Sequence, residues 1–329
     1  MAWSHGGKRV VGWQRAWYRP VLALLVVVAG VGCSMGQPPP VGDASILPLA
    51  ATSTLPAVTT TPTTTSTTVL RLPELPRGGR QIFPRFRVVG YYGMPGLDVL
   101  GAGPPELVAQ RLLRTAAQYA TPRHPVLPMF ELIVTIAHPR PLGDGTYRSW
   151  QQEAVVTRYL RATRQVRGLL VLDVQPGRAD FLAEVRHWEP FLREPDVGIA
   201  LDPEFSMPPG GVPGRDLGRT DAATVNQVSA YLAGLVARQR LPEKLLLVHQ
   251  FSRNMVRDKP RVVLRPGLAM VWNADGFGAR SDKLEDYAAY TSDRRFHPGL
   301  KLFYRNDLDL MAPGEVLRLQ PVPQVINYQ

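Results

Sequence analysis

From residue 86 to the end, short apolar runs alternate with longer stretches whose apolar residues recur every three or four positions, the signatures of strands and of amphipathic helices. The pattern predicts eight strands, over residues 86–92, 126–137, 168–174, 197–201, 244–250, 268–273, 301–304 and 325–328. Helices are predicted over 104–118, 150–166, 180–191, 221–239 and 281–290, the fourth capped by Asp221 and the last by Ser281. Strands alternating with helices in this way predict an α/β fold, a (β/α)8 barrel of the TIM type, over residues 83–329. A doubly wound open sheet is the alternative. The barrel is favoured because a strand closes the sequence and no strand leads into a glycine-rich phosphate loop.

One run stands out. Val-Gly-Ile-Ala-Leu-Asp-Pro-Glu-Phe-Ser-Met, residues 197–207, is apolar and then abruptly acidic. Strand alternation puts Gly198, Ala200, Asp202 and Glu204 on one face and Val197, Ile199 and Leu201 on the other. Pro203 lacks a backbone N–H and pushes Asp202 toward an extended conformation, so ladder pairing should stop there and leave Glu204 on the loop beyond. In a barrel these acids would reach the mouth, where the carboxyl ends of the strands converge.

The polar residues at the other predicted strand ends suit the same mouth. They are Tyr91 and Tyr92, Asp173 and Gln175, His249 and Gln250, Asn273 and Asp275, and Tyr304, Asn306 and Asp307, with Asn327 in the last strand and Glu131 inside the second. Carboxylates and amides bind sugar hydroxyls, and rings such as Tyr91, Trp272 and Tyr304 stack on sugar faces. Glycosidic hydrolysis needs a carboxylic acid and a second carboxyl group. Glu204 is the candidate proton donor, its proton affinity raised by Asp202, and Asp173 and Asp275 are candidates for the second group. Tyr91, Tyr92, Gln175, His249, Gln250, Trp272, Asn273, Tyr304 and Asn306 are the candidate substrate-binding residues. The structural alternatives stay open: Asp202 and Glu204 paired with loop arginines, Asp173 and Asp275 serving as turn caps, and His249 as a packed residue.

The Asp-x-Glu ending resembles the catalytic strand of chitinase-like and lysozyme-like (β/α)8 glycoside hydrolases. The resemblance implies Glu204 as the acid and Asp202 as the group that orients a substrate N-acetyl. The full chitinase pattern carries further aspartates where Ala200 and Val197 stand here.

Composition bears on location more than on chemistry. Lys8, Arg9, Arg15 and Arg19 precede an apolar run over 21–32 and the single cysteine, Cys33, the layout of a secretory signal. With Gly30-Val31-Gly32 before the thiol it resembles a bacterial lipoprotein signal, although Gly30 replaces the usual leucine. That likeness implies lipidation at Cys33 and a protein on the outer face of the cell membrane. An uncleaved anchor and plain secretion are alternatives, the apolar run being shorter than the roughly 20 residues a spanning helix needs. Residues 34–82 are rich in Pro, Thr and Ser and predict a disordered linker. The whole sequence resembles lipoproteins of high-GC Gram-positive bacteria.

The net charge is +11, and from residue 71 onward 34 Lys and Arg face 26 Asp and Glu with no block of one sign. Such scattered charge reads first as an ordinary solvated surface, then as attraction to an anionic envelope polymer or membrane surface, and only third as nucleic-acid binding. One cysteine permits no disulfide within the chain, and the histidines show no His-x-x-x-His spacing, so neither metal nor cofactor is expected. Ser206 and Ser252 lack the glycine pattern of a nucleophile elbow. The expectation is an exported, lipid-anchored monomer acting on a cell-wall or extracellular polysaccharide. The alternative is a barrel that binds glycan without cleaving it.

Overall fold

The structure is a computed structural model that describes residues 71–329. The basic cluster, Cys33 and the linker as far as residue 70 lie outside the described residues. No helix among the described residues is long and apolar enough to cross a membrane.

Eight parallel strands form the sheet: β1 (Arg87–Gly93), β2 (Val126–Ala137), β3 (Leu169–Val174), β4 (Val197–Leu201), β5 (Lys244–Gln250), β6 (Leu268–Ala274), β7 (His297–Leu302) and β8 (Val325–Tyr328). Each pairs with the next in sequence, and β8 pairs with β1, so the sheet closes into the (β/α)8 barrel that the alternation predicts. Closure leaves no exposed edge. A short strand, Arg148–Trp150, adds antiparallel to the long end of β2, so Trp150 belongs to a strand and not to the following helix.

The outer layer contains α1 (Pro105–Ala117), α2 (Glu153–Gln165), α3 (Phe181–His187), α4 (Glu189–Leu192), α5 (Ala222–Gln239), α6 (Arg280–Tyr290) and α7 (Pro313–Val316). Asp221 caps α5 by accepting the Thr224 N–H at 2.9 Å. Helix α6 starts earlier than expected, with Ala279 and not Ser281 at its cap position. After β5 the described chain has only a 3-10 turn, Lys259–Arg261, in place of a helix.

Strand alternation divides the buried residues between two cores. Outward residues such as Val89, Tyr91, Ile199, Leu201, Met270 and Trp272 pack under the helices. Inward residues Val88, Leu127, Met129, Leu169, Val171, Ala200, Leu245, Leu247, Ala269 and Val271 fill the lower barrel. Leu75, Ile82, Phe83 and Phe86 join that lower core, so part of the stretch expected as linker is packed. The interior is thus apolar at the end where the strands begin. Above it most inward positions are polar, Ile133 being an apolar exception, and that is where the site lies.

Candidate active site in the barrel mouth

The expected face assignment on β4 holds: Ala200 faces the barrel interior while Val197, Ile199 and Leu201 face the helices. Ladder pairing stops at Leu201, and Pro203–Phe205 form a single 3-10 turn that carries Glu204 over the mouth. Asp202 and Glu204 are both buried, and each keeps one carboxylate oxygen without a hydrogen-bond partner.

The centre of the cluster is His249, on β5. Its Nε2 lies 2.6 Å from Glu131 Oε1 and 4.0 Å from Asp173 Oδ1, and its Nδ1 lies 2.8 Å from Asp275 Oδ2. Both Asp275 oxygens sit 3.2 Å from Lys301 Nζ, which also stands 3.5 Å from the centre of the Tyr92 ring. Tyr92 donates its hydroxyl to Asp173 Oδ2 at 3.2 Å. Gln175 donates to the Tyr92 hydroxyl at 3.1 Å and to Asp202 Oδ2 at 3.4 Å. The Asn273 amide nitrogen lies 3.4 Å from His249 Nδ1, and Asn327 donates to Glu131 Oε2. All these side chains are buried.

Five carboxyl groups therefore share a dry space with two cationic side chains, His249 and Lys301, and they cannot all ionise cheaply. Burial, reinforced by Asp202, pushes the Glu204 carboxyl well above the usual carboxylate range. Burial and Asp202 do the same to Asp173. Burial pushes Asp202 up to about 6, against the pull of His249. At Asp275 burial works in the same direction, but Lys301 and His249 outweigh it and hold the carboxyl below its ordinary value. Burial would lower His249 and Lys301, and the surrounding acids reverse both. One mouth thus holds acids whose proton affinity burial raises beside a carboxyl whose proton affinity Lys301 and His249 lower.

The strand-end residues divide by the direction in which they point. Asp173, Asp202, Glu204, Asp275, Tyr92, Gln175, His249 and Asn273 come together in the mouth. Tyr91 does not: its hydroxyl bonds Thr115 Oγ1 on α1 at 2.6 Å, and its ring packs edge-on against Tyr328. Trp272 also faces the helices, 4.7 Å from the Phe296 ring and beneath Lys259. Gln250, one residue past His249 and so on the opposite side of the pleat, donates to the His249 carbonyl. These three are packing residues and not cleft residues. Tyr304 and Asn306 lie past the end of β7 and line a cavity of about 190 Å3 with Asp98, Val99, Ala102, Arg305 and Gln329.

Lys301 was not among the expected site residues, and Glu131 and Asn327 were noted only as polar positions in their strands. A lysine between Leu300 and Leu302 is the signal that marks the first. Glu131 shares its face of β2 with the inward Met129, which marks the second. Phe251, Phe277 and Phe303, which follow β5, β6 and β7, form a row of rings with centroids 5.8 and 5.5 Å apart. The lack of a histidine spacing motif also misses that three strands bring Glu131, Asp173 and His249 within 4.8 Å of one another.

No family model matches the sequence, and no curated protein does. Solved structures to which this chain is similar include a GH5 xyloglucan-specific endo-beta-1,4-glucanase from a metagenomic library, in complex with cellotriose. It is 11% identical over 61% of this chain and 74% of that chain, with a TM-score of 0.36. A GH5-4 broad specificity endoglucanase from Clostridium acetobutylicum is 9% identical over 73% of this chain and 86% of that one, with a TM-score of 0.38. The Plasmodium falciparum HPPK-DHPS is 8% identical over 74% of this chain and 45% of that one, with a TM-score of 0.28.

Proposed function

We propose that this protein is an exported glycoside hydrolase acting on a cell-envelope or extracellular polysaccharide, with Glu204 as proton donor and Asp275 as the second carboxylate. The observation that carries the reading is the placement of Glu204. It sits on the turn after β4, buried, with one oxygen unpartnered and Asp202 near enough to raise its proton affinity, while Lys301 holds Asp275 as an ion pair within the same mouth.

In this reading Glu204 passes its proton to the glycosidic oxygen as the bond to the anomeric carbon breaks. Asp275 opposes the positive charge that develops on the sugar ring, and water supplies the hydroxyl and the returning proton. Asp202 keeps the Glu204 proton affinity high. Asn273, Gln175 and Tyr92 are donors for sugar hydroxyls, and the aromatic row over β5 to β7 suits sugar faces. The basic cluster, apolar run and Cys33 at the N-terminus support attachment to the outer face of the membrane.

One observation favours binding without cleavage: Glu204 is only 5% and Asp275 only 3% exposed, so a substrate must move the loops to reach them. Release of reducing ends from purified wall and extracellular polysaccharides separates the two. Wild type should release them, and Glu204→Gln should lose about 10²- to 10⁴-fold in rate with affinity nearly intact. Affinity for a polymer without any release would assign the barrel to binding.

A further inference from the structure

Glu131, Asp173 and His249 are held in a way that hydrolysis by Glu204 and Asp275 does not require. Glu131, Asp173 and His249 come from β2, β3 and β5, and each presents one polar atom to a common point while its other polar atom is tied back. Asn327 holds Glu131 Oε2 and leaves Oε1 facing inward. Tyr92 holds Asp173 Oδ2 and leaves Oδ1, buried, without a hydrogen-bond partner. Asp275 holds His249 Nδ1 and leaves Nε2 directed at the two carboxylates. The three inward atoms lie within 4.8 Å of one another.

From this arrangement we infer that Glu131 Oε1, Asp173 Oδ1 and His249 Nε2 bind a divalent transition-metal ion. One imidazole and two carboxylates are a borderline donor set, suited to Zn2+ or Mn2+ rather than to Mg2+ or Ca2+. The second shell is what such a site needs, since a ligating histidine characteristically donates its other ring N–H to a carboxylate and ligating carboxylates are themselves hydrogen-bonded. The charge balance agrees, because five buried carboxyl groups face two cationic side chains. To reach ligand distances of about 2.0–2.2 Å the Glu131–His249 contact opens slightly as the ion replaces the proton between them. The site stands on side chains other than the proposed proton donor, so it does not rest on the glycosidase reading.

Calorimetric titration of the full-length protein in detergent, stripped with EDTA and then given Zn2+ or Mn2+ without any glycan, tests it. Wild type should bind one equivalent of at least one of the two ions saturably. Asp173→Asn removes a ligand and Tyr92→Phe only its support; each should weaken binding roughly tenfold or more. Tyr92→Phe keeps the ring and serves if Asp173→Asn does not fold, as judged by its thermal melt. His187→Ala, at a surface histidine, should leave affinity and stoichiometry unchanged. No saturable binding by folded wild type, or binding unaltered in Asp173→Asn and Tyr92→Phe, would overturn the site. Because no substrate is present, absence of hydrolysis leaves this result standing, and absence of metal leaves the hydrolysis test standing.

Discussion

Replacing Lys301 by Met keeps the length of the side chain and removes one of the two positive charges in the barrel mouth. Lys301 is buried, holds both oxygens of Asp275 at 3.2 Å and lies over Tyr92. Without it Asp275 keeps His249 as its close cationic partner and Lys283 farther off, while Glu131, Asp173, Asp202 and Glu204 remain nearby. Removing one member of a buried pair costs about 3–5 kcal/mol, because the other charge stays in low dielectric. For a domain of this size each kcal/mol lowers Tm by about 2–4 °C, so a fall of about 6–20 °C is expected. Circular-dichroism melts and urea titrations in EDTA, which keeps any bound cation from masking the loss, supply the measurement. Adding Asp275→Asn restores the charge balance while its carbonyl can still accept from His249, so the double variant should recover about half of the loss. A loss below about 1 kcal/mol for Lys301→Met, or a double variant no better than the sum of the singles, would refute the picture of a charge-balanced buried network.

Other substitutions probe separate parts of the structure. Hydrolysis should fall as pH rises through the elevated Glu204 value, because the donor then loses its proton; a rate that climbs steadily into the alkaline range would contradict that role. Lys244, at the start of β5, donates to the Glu194 and Val197 carbonyls, and burial pulls its ammonium down to about 7. The unfolded chain then holds the proton that the folded chain gives up, so stability should rise between pH 7 and roughly 10. In Lys244→Met that rise should flatten, as urea midpoints across the window would report. Asp221→Ala removes the cap of α5 and should cost about 1 kcal/mol in the same titration. Gly198→Ala places a Cβ 2.7 Å from the Leu245 carbonyl oxygen inside the barrel, and a cost of about 1–3 kcal/mol is expected.

The barrel was legible because both of its periodicities are written along the chain: two-residue alternation assigns the faces of β4, and Asp221 marks where α5 begins. The mouth was legible only in part. Taking the polar residue at each strand end gathers Asp173, Asp202 and Asp275, but it ignores parity, and parity decides whether a side chain meets a ligand or a helix. Tyr91 and Trp272 fail on that ground, each one step from an inward neighbour, Tyr92 or Asn273. Lys301 and Glu131 escape the same rule from the other side, since apolar residues follow them within their strands. Their identity as site residues depends on which strands stand opposite across the ring, and that distance is set by closure of the sheet and not by any local pattern. The absence of a histidine motif is uninformative for the same reason: Glu131, Asp173 and His249 are 42 and 76 residues apart along the chain and meet only because β2, β3 and β5 share a lumen.

The central claim is that Glu204 carries a proton at neutral pH inside the barrel mouth. Infrared difference spectra of wild type against Glu204→Gln at pH 7 observe that proton directly. A carbonyl stretch of a neutral carboxylic acid, present in wild type, absent in the variant and lost only as the pH is raised, is the expected result. A carboxylate band in its place would contradict the claim and remove the proton donor on which the proposed hydrolysis depends.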